Sequence, residues 1–131
     1  MRLPDFHDDG WALESGEGLH REAPNTFWIP ERKHREALYP GDYAKLVFRI
    51  ALASEDDPVS VERMWVVVRE RTPWGYFGLL RNEPSAIEEN EELWLDTEVP
   101  FGAEHIIDIQ HADDESVDLA RQPPRRPWPR D

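Results

Sequence analysis

From Tyr43 to Leu52 the residues alternate between two faces: Ala44, Leu46, Phe48, Ile50 and Leu52 fall on one, and Tyr43, Lys45, Val47 and Arg49 on the other. A period of two is the signature of a half-buried strand. The next apolar run, "VERMWVVVRE", is charged near both ends but apolar on both faces from 64 to 68, which predicts a central strand covered on both sides at its middle. "RTPWG" supplies a turn and "YFGLLRN" a returning third strand. "WLDTEVPF" and "EHIIDIQH" predict two more short strands, and "EPSAIEENEEL" between them a short helix or helical turn. Upstream, "APNTFWIP" is framed by prolines and reads as a short strand or a packed extended segment, and "PERKHREALY" as a short helix. "Tyr39-Pro40-Gly41-Asp42" ends that helix and turns the chain.

The two ends lack this periodicity. Residues 1–23 read as an arm or loop anchored by Trp11 and Leu13, and residues 120–131, with four prolines, as an extended and unpacked tail. The span 24–119 is left as a single α+β domain. Its strands suggest a strongly bent antiparallel sheet or small SH3-like barrel of about five strands, with one or two short helices. A weak internal echo runs through it: "LYPGDYAKLVF" and "LWLDTEVPF" each pass from a leucine through a turn into a strand, Asp96 and Thr97 standing for Gly41 and Asp42.

Several blocks of this span carry a resemblance. Thr26, Phe27, Ile29 and Pro30 form an entry, with Trp28 in its variable place; Gly41, Asp42, Lys45, Leu46 and Phe48 follow. Then come Glu62, Met64, Trp65 and Val66, then Gly78, Leu80, Asn82 and Pro84, and last His105, Ile106 and Asp108. Over residues 24 to 109 this order resembles an uncharacterised bacterial domain family with a Glu-x-Met-Trp-Val … Gly-x-Leu-x-Asn-x-Pro core. Asp96-Thr97 departs from the Gly-Asp turn usual there. The resemblance implies a compact α+β domain and brings no established activity.

Composition narrows the chemistry. There is no cysteine among the 131 residues, which excludes disulfides, thiolate metal sites and thiol nucleophiles and suits a reducing compartment. No apolar run reaches the ~20 residues of a membrane helix, and "MRLPDFHDDG" lacks the apolar core of a secretory signal, so the expected setting is the cytoplasm without membrane association. Fifteen Lys and Arg oppose 28 Asp and Glu, a formal net charge of −13. Residues 82–120 hold thirteen acids and no Lys or Arg, whereas the last eleven residues hold four arginines. Such a body repels phosphate backbones, so nucleic acid is not the expected partner. A plain solvated surface accounts for much of this charge; the sharper reading is an acidic face at 83–118 that meets a basic protein, with Trp74 and Trp94 as exposed anchors.

Candidate chemistry is thin. Trp65 is read as a core side chain whose burial contributes about 2 to 3 kcal/mol. Glu62 is read as a cross-strand partner, and Asn82 as a cap that accepts the Ser85 N–H. His105 and His111, six apart on a strand, would stand about 20 Å from each other, too far to share one metal ion. "HDD" at 7–9 holds a cation only loosely; no nucleophile elbow and no phosphate loop is present. No catalytic residue, metal ligand or cofactor is therefore assigned. Arg121, Pro124 and Pro127 fit an Arg-x-x-Pro-x-x-Pro spacing that docks aromatic-lined grooves, although chance or a solubilising end explains it more simply, and the arginines could equally be drawn to the chain's own acids. The function expected is a non-enzymatic protein-binding module, in one form an immunity or inhibitor protein. The rival is a small enzyme or ligand-binding domain whose pocket gathers Glu62, Asn82 and His105. The sequence sets no oligomeric state.

Overall fold

The structure, a computed structural model, describes residues 2–53, 56, 58–84 and 93–130. Most of the short helix expected at 83–93 lies outside them. The chain is α+β: an antiparallel sheet of five strands in the order β1 (Trp11–Leu13), β2 (Tyr43–Ala51), β3 (Val59–Thr72), β4 (Gly75–Leu80) and β5 (Glu98–Phe101) curls into a half-barrel. A sixth strand, β6 (Asp108–Gln110), also pairs with β2. It takes Tyr43–Lys45 while β1 takes Phe48–Ile50, so β1 and β6 lie end to end along the edge of β2 that β3 leaves open. Short helices decorate the sheet: α1 (Phe6–Asp9), α2 (Gly16–Glu22), α3 (Arg32–Arg35) and α4 (Asp114–Leu119), with a 3-10 turn at Ala103–His105.

The alternation in β2 does what it predicts. Ala44, Leu46, Phe48 and Ile50 are fully buried and face Met64, Val66 and Val68 of β3 within one core. The register of β3 against β4 shifts between Val68 and Glu70, and such a bulge sharpens the local twist that curls the sheet. The β3–β4 hairpin closes on Thr72, whose hydroxyl accepts the Gly75 N–H at 3.0 Å. A Cβ on Gly75 would stand 2.3 Å from the Phe101 carbonyl oxygen, so only glycine fits beside β5.

The internal echo is a repeated turn. Gly41 (φ 101°) and Asp96 (φ 66°) are both in the left-handed region. The Tyr39 N–H donates to the Asp42 carboxylate at 2.9 Å, and the Trp94 N–H to the Thr97 hydroxyl at 3.0 Å. Gly41 N–H reaches the Val68 carbonyl while Val68 N–H reaches Asp42; Asp96 and Thr97 latch onto Leu80 in the same way. Leu38 and Leu93, the first residue of each copy, are both buried.

Four expectations need correction. Residues 1–23 are anchored by Trp11, which is buried, and by the half-buried Leu13, but they form α1, β1 and α2 rather than a loose arm. Of the two readings of "APNTFWIP", the strand does not form: the segment turns at 24–26, leaves Trp28 exposed, and continues with Ile29 half-buried and Pro30 buried. His105 sits on the 3-10 turn and His111 beyond the end of β6, so the pair does not share a strand. The tail is packed. Arg126 bridges Thr97 in parallel, extending the sheet past β5, and Trp128 is 8% exposed in the core. The physical reason is the open seam of the half-barrel. Trp128 fills the gap between its edges, its ring 5.6 Å from that of Trp11, and its indole N–H donates to the Arg2 carbonyl at 2.8 Å.

Beneath the tail lies Glu98, fully buried. Its carboxylate accepts the Trp128 N–H at 2.9 Å and both terminal nitrogens of Arg130 at 2.7 and 2.8 Å. A buried carboxylate needs such donors to offset its lost hydration. The Arg130 guanidinium also lies 3.7 Å from the centre of the Phe77 ring.

Candidate functional site

The residues singled out from sequence are placed apart. Glu62 enters β3 opposite Phe48 and accepts the Ser60 hydroxyl at 3.4 Å. Asn82 follows β4, and its side-chain oxygen accepts the Trp65 N–H at 2.6 Å. It thus extends the β3–β4 ladder by one rung with a side chain in place of backbone; Ser85, the donor expected for it, lies outside the described residues. His105 is buried on the 3-10 turn, where its Nδ1 accepts the Gly102 N–H at 2.9 Å. Burial lowers its pKa below the ordinary imidazole value, against the nearby Glu104 and Glu17 carboxylates, which pull the other way. Asn82 lines a shallow cavity with Tyr43, Trp65, Arg81 and Gln110, and neither Glu62 nor His105 lines it.

Trp65 is not a core brick. It is half-buried on the outer face of β3, with Tyr43 edge-on at 6.3 Å and the Lys45 ammonium 5.5 Å from its ring centre. Of the two expected anchors, Trp74 is 66% exposed on the β3–β4 hairpin, and Trp94 is 40% exposed with the Arg126 guanidinium 5.8 Å from its ring.

The acids of 83–118 divide by role. Glu98 is structural, and Asp96 pairs with Arg81. Asp113, Asp114, Glu115 and Asp118, on and just before α4, are exposed. That helix starts because the Asp113 carboxylate accepts the Ser116 N–H at 2.7 Å while the Ser116 hydroxyl accepts the Asp113 N–H at 2.8 Å, a reciprocal cap.

A cleft of about 450 Å³ beside α3 and β6 has a mainly apolar wall. Leu38, Ala37, Pro30 and Ile109 form its floor and sides, Trp28 and Tyr39 its aromatic walls, and His34, Asp42, Asp108 and His111 its polar groups. Trp28 is 69% and Tyr39 62% exposed. The polar wall is tied to the backbone. Asp42 accepts Tyr39 N–H on one oxygen and Ala112 N–H on the other, at 2.9 and 3.0 Å, and Asp108 accepts Ile109 N–H at 2.8 Å. The Ala112 bond joins the cleft directly to the residue before the α4 cap, so the exposed acids begin at its rim.

Next to the cleft the fold is fastened by Arg35, a buried guanidinium on α3. It donates to Glu17 at 2.8 Å and to the carbonyls of Pro30 and Ala103 at 2.8 and 2.7 Å, uniting α2, α3 and the 3-10 turn. Glu17 is held below the usual carboxylate range by that arginine. Pro30, which begins the cleft wall, is therefore positioned by a charge-assisted bond.

Sequence reasoning missed Trp28 and Tyr39 as surface groups. Trp28 lies between prolines in a run that reads as a strand, and Tyr39 precedes Pro40 in a turn. The signal available was the proline framing: it prevents regular pairing and leaves a large side chain free to point outward.

Among the described residues no group of three or more His, Asp or Glu is placed to hold a metal ion, and no helix is long and apolar enough to cross a membrane. No family model, curated protein or solved structure matches the chain. The resemblance drawn from residues 24–109 therefore rests on those residues alone.

Proposed function

We propose that the chain is a non-enzymatic protein-binding module that acts in the cytoplasm and presents an acidic, aromatic-studded face to a basic protein. One observation carries the reading: the apolar cleft walled by exposed Trp28 and Tyr39 runs at its rim into the exposed acids of α4. Large aromatics supply contact energy at an interface, and fixed charge around them supplies steering and selectivity. The separation of Glu62, Asn82 and His105 favours this reading over a pocket built from those three. An immunity or inhibitor protein that neutralises a basic toxin is its specific form, because charge complementarity speeds association with such a target. The same net charge disfavours nucleic acid.

The test is capture from lysate at low and high salt, with wild type beside an Asp114→Asn/Glu115→Gln/Asp118→Asn variant. A basic protein held at low salt, released by high salt and weakened by the variant supports the module. Capture that ignores both salt and the three substitutions overturns it. Arg121, exposed and outside the packed part of the tail, can be changed to Gln in parallel to exclude tail capture. Truncation at 121 is unsuitable, since it removes Trp128 from the core.

A further inference from the structure

Two exposed tryptophans stand apart from every other large aromatic cluster. Arginine or lysine lies over Phe6, Phe27, Tyr39, Trp65, Phe77, Trp94 and Trp128, and Trp11 packs against Phe48 and Trp128. Among the described residues Trp28 and Trp74 have neither a cation nor an aromatic ring in such contact. Trp28 is the one that lines the apolar cleft, together with two carboxylates, Asp42 and Asp108.

We propose that this cleft is the slot for a lysine side chain of the basic partner, an inference that rests on the protein-binding reading above. A lysine needs apolar surface for its four methylenes and a negative environment for its ammonium. Leu38, Ala37 and Ile109 supply the first, and the Trp28 ring with Asp42 and Asp108 the second. Tyr39 already has the Arg71 guanidinium 4.4 Å from its ring centre, so it serves as wall rather than as the cation's ring.

Lysine fits better than arginine for a geometric reason. An arginine fork seeks both oxygens of one carboxylate. Both oxygens of Asp42 already hold backbone N–H groups, as does one oxygen of Asp108. A compact ammonium needs only one open lone pair. Lys45 and Arg63 share a neighbouring cavity with Trp28 and Asp108, and Lys45 stands opposite Asp108 in the β2–β6 register, but their charged ends lie over other rings, Lys45 over Trp65 at 5.5 Å and Arg63 over Phe27 at 5.1 Å.

The experiment is an NMR titration of the full chain at low salt, following the Trp28 indole N–H, which Trp28→Ala assigns. The probes are N-acetyl-lysine-N-methylamide, its arginine counterpart and the neutral isostere N-acetyl-norleucine-N-methylamide. The expected result is a saturable shift centred on Trp28 with lysine, weaker with arginine and several-fold weaker with norleucine; Asp108→Asn reduces the lysine affinity about threefold to tenfold, the range of one fixed charge at partly exposed separation. Equal response to norleucine, or no shift at Trp28, overturns the slot. The two proposals fail separately. A basic partner still captured at full strength by Trp28→Ala sinks the slot and spares the module. Lysine binding without any salt-sensitive basic partner does the reverse.

Discussion

Replacing Trp128 with alanine tests whether the tail belongs to the core. The side chain is 8% exposed, packs edge-on against Trp11 and donates its indole N–H to Arg2. A buried tryptophan removes roughly 150–250 Å² of mostly apolar surface from water, worth about 4–6 kcal/mol at 25 cal/mol per Å². That figure is an upper bound, because an unfolded chain already shields part of it. The hydrogen bond adds about 1 kcal/mol, and little penalty remains after its loss, since the Arg2 carbonyl lies at the surface. These contributions overlap, and measured Trp→Ala changes in cores cost about 3–5 kcal/mol, which is the expected value here. For a chain of this length that corresponds to a fall in Tm of roughly 10–20 °C.

The assay is urea denaturation followed by far-UV circular dichroism, with Trp28→Ala as the control. Trp28 is exposed, so its loss should stay within about 0.5 kcal/mol. The midpoint should drop sharply for Trp128→Ala with the slope m unchanged. A loss under about 1 kcal/mol, or one equal to the control, would refute the claim that residues 125–130 complete the half-barrel.

Two further predictions concern charge. Glu98→Gln keeps the volume and the bond from Trp128 N–H but leaves Arg130 without its buried anion; since Arg130 also reaches Glu70, the cost should be about 1–3 kcal/mol, with backbone amides of 125–130 losing hydrogen-exchange protection before the rest of the sheet. His105 is buried with Nδ1 accepting a hydrogen bond, so its folded pKa is depressed and the unfolded chain binds the proton first; stability should fall as pH drops below about 6.5, and His105→Gln should flatten that slope in urea titrations between pH 7.5 and 5.5. An unchanged slope in the variant would mean that another group carries the dependence.

What was legible in the sequence was local. The period-two run of β2 and the two-faced middle of β3 each fix their own burial within a few residues, and the echoed turn recurs because Gly41 and Asp96 both tolerate positive φ. What was not legible was long-range. β1 spans three residues, too few for any period to register, and it exists because Trp11 finds both Phe48 and a tryptophan 117 positions along the chain. Trp128 itself stands among prolines and arginines that read as solvated. The α4 cap was written in "DDES", but its three acids and Asp118 look like surface charge whether or not a helix forms. Trp65 was misplaced for another reason: five apolar residues in a row predict cover on both faces, yet the cover over its face consists of half-polar neighbours such as Tyr43 and Asn82.

The repeated turn sharpens the case for the cleft. At the second copy, the chain supplies its own occupant: the tail runs along β5, and Arg126 lies over the exposed ring of Trp94. At the first copy the equivalent exposed ring, Tyr39, likewise has an arginine, Arg71, and the strand edge beside it is taken by β6. Both copies therefore use one device, a cation over an aromatic next to a positive-φ turn. Trp28 adds to the first copy a further ring, with two carboxylates lining the same cleft and, among the described residues, no cation over it. If the molecule meets a basic partner through the contact it makes most often with itself, Trp28 is the place where that contact is made. Arg126→Gln then becomes an informative comparison: it alters the internal version at Trp94 and should leave lysine binding at Trp28 unchanged, whereas a shift of both together would mean that the two turns are one coupled surface.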